Sequence, residues 1–261
     1  MAVEFHDRVL FEKLGRVAII TLNRPDRLNA FDSGMYEGMN QALESFRDDP
    51  DLWVAIIQAN GDRAFSAGAD MNALDANAAN GITAALGGLI LDDEMVTNKP
   101  IIVAVHGHCV GEGVNLVLGC DMVFADESAN FMISEPKVGT NAVDIPIKLA
   151  KKLGYAKAFA FLTPGDGKDS QWCAGAGLVE VVTAKGEVKS EALRFAQRLC
   201  EESGPLAIRA QKETLWRTVF EDEHIAKEKG TEMRASIRVS DDYAEGRRAF
   251  LEKRKPGFKG S

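Results

Sequence analysis

Two runs in this chain are apolar without alternation, WVAIIQAN at 53–60 and IIVAVHG at 101–107. A strand with one face in water alternates apolar and polar side chains. Unbroken runs of this length therefore predict strands covered on both faces, and covered strands belong to parallel sheets flanked by helices. The rest of the first half fits that picture. RVAIITLN (16–23), DMVFAD (121–126) and NFMIS (130–134) read as further strands. SGMYEGMNQALESFRDD (33–49) reads as a helix whose core stripe is Met35, Met39, Leu43 and Phe46. Another helix is expected from about Gly111. After about residue 190 the strand signals stop. KSEALRFAQRLCEE, PLAIRAQKETLWRTVFEDEHIAKEKGTEMRASIR and DYAEGRRAFLEKR are helical in pattern. The expected fold class is α/β, with a body over 1–190 and a helical C-terminal segment over 191–261.

Charge and composition narrow the partners. With 31 basic and 39 acidic residues the formal charge is −8, which argues against nucleic acid and anionic membrane surfaces. No stretch has the apolar length of a membrane span. The first residues, MAVEFHDRVLFEK, are charged throughout and lack the apolar core of a signal peptide. Cys109, Cys120, Cys173 and Cys200 form no C-x-x-C pair, so they read as thiols of a reducing cytosol. A cytoplasmic protein is expected. His106 and His108 lie two apart with no third ligand at metal spacing, so no metal is expected.

Two turns stand out. RAFSAGADM (63–71) follows the strand at 53–60, and GHCVGEGVN (107–115) follows the strand at 101–107. Each leads through small residues into a helical pattern. The first N–H groups of a helix have no partner within it, and small residues leave them uncovered. Either turn alone reads as an ordinary strand–helix junction. Facing each other, the two would clasp one oxygen that becomes negative during a reaction.

The chain resembles the enoyl-CoA hydratase/isomerase family, the crotonase superfamily. The resemblance is carried by ITLNRPDRLNAF (20–31), FSAGADM (65–71), KPIIVAVHGHCVGEGVNLVLGCDMVFAD (99–126), NFMISEPKVG (130–139), AGLVEVV (176–182) and FLEKRKPGFKG (250–260), in order and over almost the whole length. It implies a crotonase-type spiral of repeated β-β-α turns with a helical C-terminal trimerisation segment, assembled as a homotrimer or a dimer of trimers. It implies an acyl-CoA thioester substrate, with coenzyme A as part of the substrate and no separate cofactor. The thioester oxygen would sit between the backbone N–H groups of Ala69 and Glu112, and Gly111 would let the chain approach it. The resemblance also places Ala67, Ala69, Asp70, Met71 and Asn72 along the CoA arm, with Arg27 and Leu28 near the phosphates and adenine. Phe250 and Lys253 match positions where the C-terminal segment touches CoA. Asp70 is also a candidate cap for a helix starting at Met71.

Two glutamates do the proton work in the family's hydratases. Their positions match Asn115 and Glu135 here, so one carboxylate is an amide in this chain. An amide orients water or substrate but takes no proton near neutral pH. One carboxylate suffices to move a double bond, because the same group removes a proton from one carbon and returns it to another. Glu135 and Asn115 are the candidate catalytic residues. Glu112 lies three residues before Asn115 on the same side of a helix. Ionised, it would oppose an enolate, so its side chain is expected to turn away toward CoA, a loop or a neighbouring subunit. Asp144 reads as a helix-start residue; the position that matches an acid of some relatives is Val143. The preferred reading is enoyl-CoA double-bond isomerisation, with 2-enoyl-CoA hydration as the alternative. A reading of another class is a catalytically silent acyl-CoA binder or RNA-binding homologue, against which Glu135 and the acidic charge both count.

Overall fold

The computed structural model describes residues 3–80, 86–92, 95–138, 142, 144–221 and 223–261. Its strands are β1 (Val3–Phe5), β2 (Val9–Leu14), β3 (Val17–Leu22), β4 (Val54–Ala59), β5 (Ala64–Ser66), β6 (Ile101–Val105), β7 (His108–Val110), β8 (Met122–Asp126), β9 (Asn130–Met132), β10 (Lys168–Asp169) and β11 (Val181–Thr183). Its helices are α1 (Ser33–Asp48), α2 (Met71–Ala79), α3 (Glu112–Leu118), α4 (Asp144–Leu153), α5 (Tyr155–Leu162), α6 (Ser170–Ala176), α7 (Val188–Glu202), α8 (Pro205–Phe220), α9 (Glu223–Arg238) and α10 (Asp241–Glu252).

The unbroken apolar runs are the middle of a sheet. Its order is β1-β2-β3-β4-β6-β8-β11, and every pairing from β3 to β11 is parallel. Strand β6 is buried at all five positions, Ile101 to Val105. One face is covered by α1, whose Met35, Met39, Leu43 and Phe46 are fully buried. Burying each such side chain contributes about 1.5–3 kcal/mol. The other face is covered by α7, with Ala192 and Ala196 packed in a second cluster that includes Trp53, Ile56 and Phe124. The α/β architecture and the helical run after residue 190 are as expected. The helical run is four helices, α7 to α10, and α7 packs on the body rather than beside it.

A second sheet, of order β10-β9-β7-β5, is made of strands of two or three residues. Two of them lie inside stretches that read as turns, and both turn out to be the scaffold of the site. Residues 81–85 of the small-residue stretch DANAANGITAALGG, Val143 beside Asp144, and the side chain of Phe250 lie outside the described residues. Asp144 is the first residue of α4, as expected of a helix-start residue.

Candidate active site

Three adjacent parallel strands deliver the candidate residues. β5 pairs with β7, and β7 with β9, all parallel. Ala69 follows β5, Glu112 follows β7 and Glu135 follows β9, each within three residues of the strand's end. The structure thus brings together the Ala69 and Glu112 turns and Glu135, at the carboxyl ends of one small sheet. In open α/β folds that edge is where ligands bind.

The Ala69 amide is freed by its own neighbours. Phe31 and Ala69 form a parallel bridge. Phe31 N–H donates to the Gly68 carbonyl at 2.8 Å, and Asp70 N–H donates to the Phe31 carbonyl at 2.9 Å. In such a bridge the N–H of the intervening residue points the other way. Phe31 is itself fully buried, so the bridge is anchored in the core. Gly68 makes the approach to β7 possible. It has φ +90, and a Cβ there would lie 3.0 Å from the Val110 carbonyl oxygen and 3.6 Å from the Glu112 nitrogen. The Glu112 amide is the first of α3, and the N-cap Gly111 caps it with no side chain. It is one of the helix-start donors that no turn of helix satisfies.

Glu135 opens a 3-10 turn over Glu135–Val138. A Cβ on Gly111 would lie 2.9 Å from Glu135 Oε1. The carboxyl therefore occupies the space that a larger residue at 111 would need. Its Oε2 is buried with no hydrogen-bond partner among the described residues. A buried acceptor left without a partner costs about 1–3 kcal/mol, and more when charged. Structures retain such groups where chemistry needs them.

The other candidate, Asn115, is 3% exposed and fully engaged. Its Nδ2 donates to Asp92 Oδ1 at 2.9 Å and to Glu112 Oε1 at 3.2 Å. Its Oδ1 accepts from Lys148 Nζ at 3.1 Å. Lys148 Nζ also donates to Asp92 Oδ1 at 2.5 Å, in an ion pair whose side chains are 9% and 13% exposed. Tyr36, from α1, donates its hydroxyl to the Glu112 carboxylate. The Glu112 side chain therefore folds inward, onto Asn115 and Tyr36, and not outward toward CoA, a loop or a neighbouring subunit. The reason is that three polar groups already buried there supply the partners it needs. Burial pushes the Glu112 carboxyl up from its ordinary value, and the Asp92 charge adds to this. Hydrogen bonds from Asn115 and Tyr36 and the Lys148 charge act against it. Burial and the Glu112 charge likewise push the Tyr36 phenol up, so it stays a donor.

The loop over 24–32 is tied to the same edge. Asn29 is fully buried. Its Nδ2 donates to the Asn60 and Ala64 carbonyls at 2.9 and 3.1 Å, and its Oδ1 accepts from the Arg24 amide at 2.8 Å. Leu28 accepts the Ala67 amide at 2.9 Å, so two expected CoA contacts are neighbours. Arg27 is exposed beside them. Asp70 caps α2 as expected: Oδ1 accepts from the Asn72 and Ala73 amides at 3.0 and 3.2 Å. Its Oδ2 pairs with Arg24 Nη1 at 2.7 Å. Burial opposes ionisation of Asp70, but the Arg24 bond and charge and the helix-start amides outweigh it and lower its pKa. Met71 and Asn72 are exposed on the first turn of α2. Lys253 is exposed just beyond α10. Among the described residues no hydrogen bond or ion pair joins it to the loops at 24–31 or 67–72.

Sequence reasoning missed Tyr36, Asp92 and Lys148. Tyr36 sits in the amphipathic pattern of a core helix, and Lys148 in IPIKLAKKL, where a lysine reads as solvated. Only pairing across 56 residues reveals the Lys148–Asp92 ion pair. His106 Nε2–H donates to the Gly61 carbonyl at 2.8 Å, in the structural role expected of it. No group of three metal-ligating side chains occurs among the described residues.

The model of the enoyl-CoA hydratase/isomerase family matches residues 12–261. This chain belongs to that family. It is 34% identical to carnitinyl-CoA dehydratase of Salmonella paratyphi A, over 94% of this chain and 96% of that protein. It is 31% identical to the mitochondrial enoyl-CoA hydratase of Pongo abelii, over 96% of this chain and 87% of that protein. Among solved structures, it superposes on enoyl-CoA hydratase from Mycobacterium tuberculosis H37Rv with a TM-score of 0.87 at 29% identity, covering 98% of this chain and all of that one (100%). The mixed sheet, the small second sheet and the C-terminal helices are the crotonase fold. Family membership makes the chain an enzyme of CoA-thioester chemistry. No described helix is long and apolar enough to cross a membrane.

Proposed function

We propose that this enzyme shifts the double bond of an enoyl-CoA through an enolate, with Glu135 moving the proton. The observation that carries the reading is the Glu135 carboxyl, set against Gly111 at the start of α3 with Oε2 buried and unpartnered. The thioester oxygen accepts from the Ala69 and Glu112 amides. Each preorganised donor of that kind is worth about 2.7–4 kcal/mol of barrier. Glu135 takes the proton from the α-carbon, the charge moves to the oxygen, and Glu135 returns the proton further along the chain.

The engaged amide of Asn115 supports isomerisation over hydration assisted by that residue. Both its Nδ2 hydrogens and a lone pair of Oδ1 are used within the protein. A second reading, addition or loss of water at the β-carbon, is favoured by the names of the relatives. The same reading places the CoA arm along Ala67 to Asn72 with Arg27 and Leu28, and the C-terminal Phe250 and Lys253 against CoA of the same or a neighbouring subunit. It includes a homotrimer or a dimer of trimers in the cytoplasm, supported by the exposed apolar Leu215, Val219 and Phe220 on α8.

The test is the ratio of two kcat/KM values on thioesters of one chain length. The expected result is faster conversion of 3-enoyl-CoA to its 2-enoyl isomer than hydration of 2-enoyl-CoA. Efficient hydration with no double-bond shift would overturn the isomerase reading.

A further inference from the structure

We infer that Arg24 is a positioning residue for the reaction: its guanidinium sets the direction of the Ala69 N–H by holding both chains of the Phe31–Ala69 bridge. The inference rests on the enolate reading above, in which that N–H meets the thioester oxygen. It adds a residue that works through the backbone of its neighbours.

Arg24 is itself fixed from the buried side. Its N–H donates to Asn29 Oδ1 at 2.8 Å, and its carbonyl accepts from the Asn29 N–H at 2.9 Å. Asn29 is fully buried, so the root of the arginine side chain is tied to the core. Pro25, next along, opens a 3-10 turn over Pro25–Arg27 with the φ that its ring imposes. The Arg24 side chain, 14% exposed, then reaches across the bridge. On one chain, Nη1 donates to the Ala30 carbonyl at 3.0 Å and Nη2 lies 3.3 Å from Asp32 Oδ2. Ala30 and Asp32 are the two neighbours of Phe31. On the other chain, Nη1 donates to Asp70 Oδ2 at 2.7 Å, and Asp70 is the residue after Ala69. One planar group thus holds both sides of Phe31 and one side of Ala69.

The bridge alone does not aim the amide. Its two main-chain bonds set the spacing of the chains, but a two-stranded pair tolerates a wide range of twist. The Ala69 N–H points away from Phe31, so any twist of the bridge swings it directly. The guanidinium removes that freedom, because both carboxylates it binds are held elsewhere. Asp32 Oδ1 caps α1 through the Met35 amide at 2.9 Å, and Asp70 Oδ1 caps α2. The starts of two helices are therefore joined through one side chain. Arg8 Nε, 3.1 Å from Asp32 Oδ2, completes a cluster of two cations and two anions. Without Arg24 the cluster would be net negative one residue from the Ala69 amide, and would oppose the enolate. Lysine would keep the charge but not the fork, since an ammonium is a single point.

The experiment uses the full chain with hexanoyl-CoA carrying 13C at the thioester carbonyl, read by infrared difference spectroscopy, and 3-hexenoyl-CoA for rates. In the wild type the bound carbonyl band is expected below its position in water, as donors weaken the C=O bond. In Arg24→Lys the band moves part of the way back, and kcat falls by about tenfold with KM little changed, less than the loss of a whole donor. Arg24→Gln also loses the charge, and kcat falls by about a hundredfold, the lower range for loss of a donor. Arg8→Gln, which shares Asp32 but not the bridge, keeps the wild-type band and kcat. A wild-type band and kcat in Arg24→Lys overturn the inference, and so does an equal loss in Arg8→Gln. Should the Arg24 variants not fold, Asp70→Asn decides: it keeps the cap oxygen and removes the acceptor of Nη1, and an unmoved band there overturns the inference. The enolate reading fails separately, through isomerisation that persists in Glu135→Gln. A wild-type band that binding does not lower overturns both.

Discussion

Replacing Gly111 by alanine tests whether the position of Glu135 is set by the glycine that it touches. The methyl group would stand 2.9 Å from Glu135 Oε1, where ordinary contact begins at 3.4 Å. The carboxyl or the start of α3 must therefore move by at least 0.5 Å, the difference of those two distances. Gly111 also has φ +49 and ψ −110, a conformation closed to residues with a Cβ. Holding alanine there costs about 1–3 kcal/mol in stability. A misplacement of 1 Å costs about a hundredfold in rate, so half of that predicts a fall of about tenfold in kcat. Relaxation of the backbone strain would add to the displacement and move the fall toward a hundredfold. The KM for the thioester should change little, because the proposed CoA contacts, Ala67 to Asn72 with Arg27 and Leu28, do not include Gly111's neighbour Glu135. The assay is uptake of deuterium at the α-carbon of a saturated acyl-CoA in D2O, followed by NMR, with urea denaturation for stability. A stable variant with wild-type exchange would refute the reasoning. So would a loss that appears wholly in KM.

Other perturbations separate the parts of the site. Glu135→Gln keeps shape and removes the base, so turnover should fall by about two to four decades with CoA affinity, measured calorimetrically, almost unchanged. Lys148→Met leaves Asp92 buried without its cation and should cost about 3–5 kcal/mol in urea unfolding, most of which Lys148→Met with Asp92→Leu recovers. Arg24→Gln removes the charge that lowers the Asp70 pKa. A lowered carboxyl pKa contributes stability that is present above the unfolded value and lost as pH falls through the folded one. The wild type should therefore lose this contribution below about pH 4, near the unperturbed carboxyl value, and the variant should lack it already at neutral pH, as thermal melts across pH would show.

The fold was legible where many residues repeat one signal. β4 and β6 announce a covered parallel sheet because their runs are apolar without alternation, Gln58 excepted, and α1 announces its buried stripe through Met35, Met39, Leu43 and Phe46. Of the second sheet only β9 was legible, within NFMIS at 130–134. Its other strands have two or three residues, too few for any period to show, and β5 and β7 hide among the small residues that mark a turn. Of the site, the helix-start amides and the Asp70 cap derive from local order along the chain. The direction of the Glu112 side chain does not, because it depends on Tyr36, Asp92 and Lys148, which are distant in sequence and meet only through packing. Similarly, charge alone makes Lys148 resemble its exposed neighbour Lys151, yet one is buried in an ion pair and the other is not.

The strands β5, β7 and β9 also act as a ruler. Neighbouring strands are held about 4.8 Å apart by main-chain hydrogen bonds that no side-chain substitution removes. The turn at the end of each strand is consequently indexed to its neighbour, whatever residue stands there. An engineer could exchange the residue after any one strand and retain the spacing of the other two. Inserting a single residue within β7 would instead slip one mark on the scale, and would displace the Glu112 turn relative to both Ala69 and Glu135 at once.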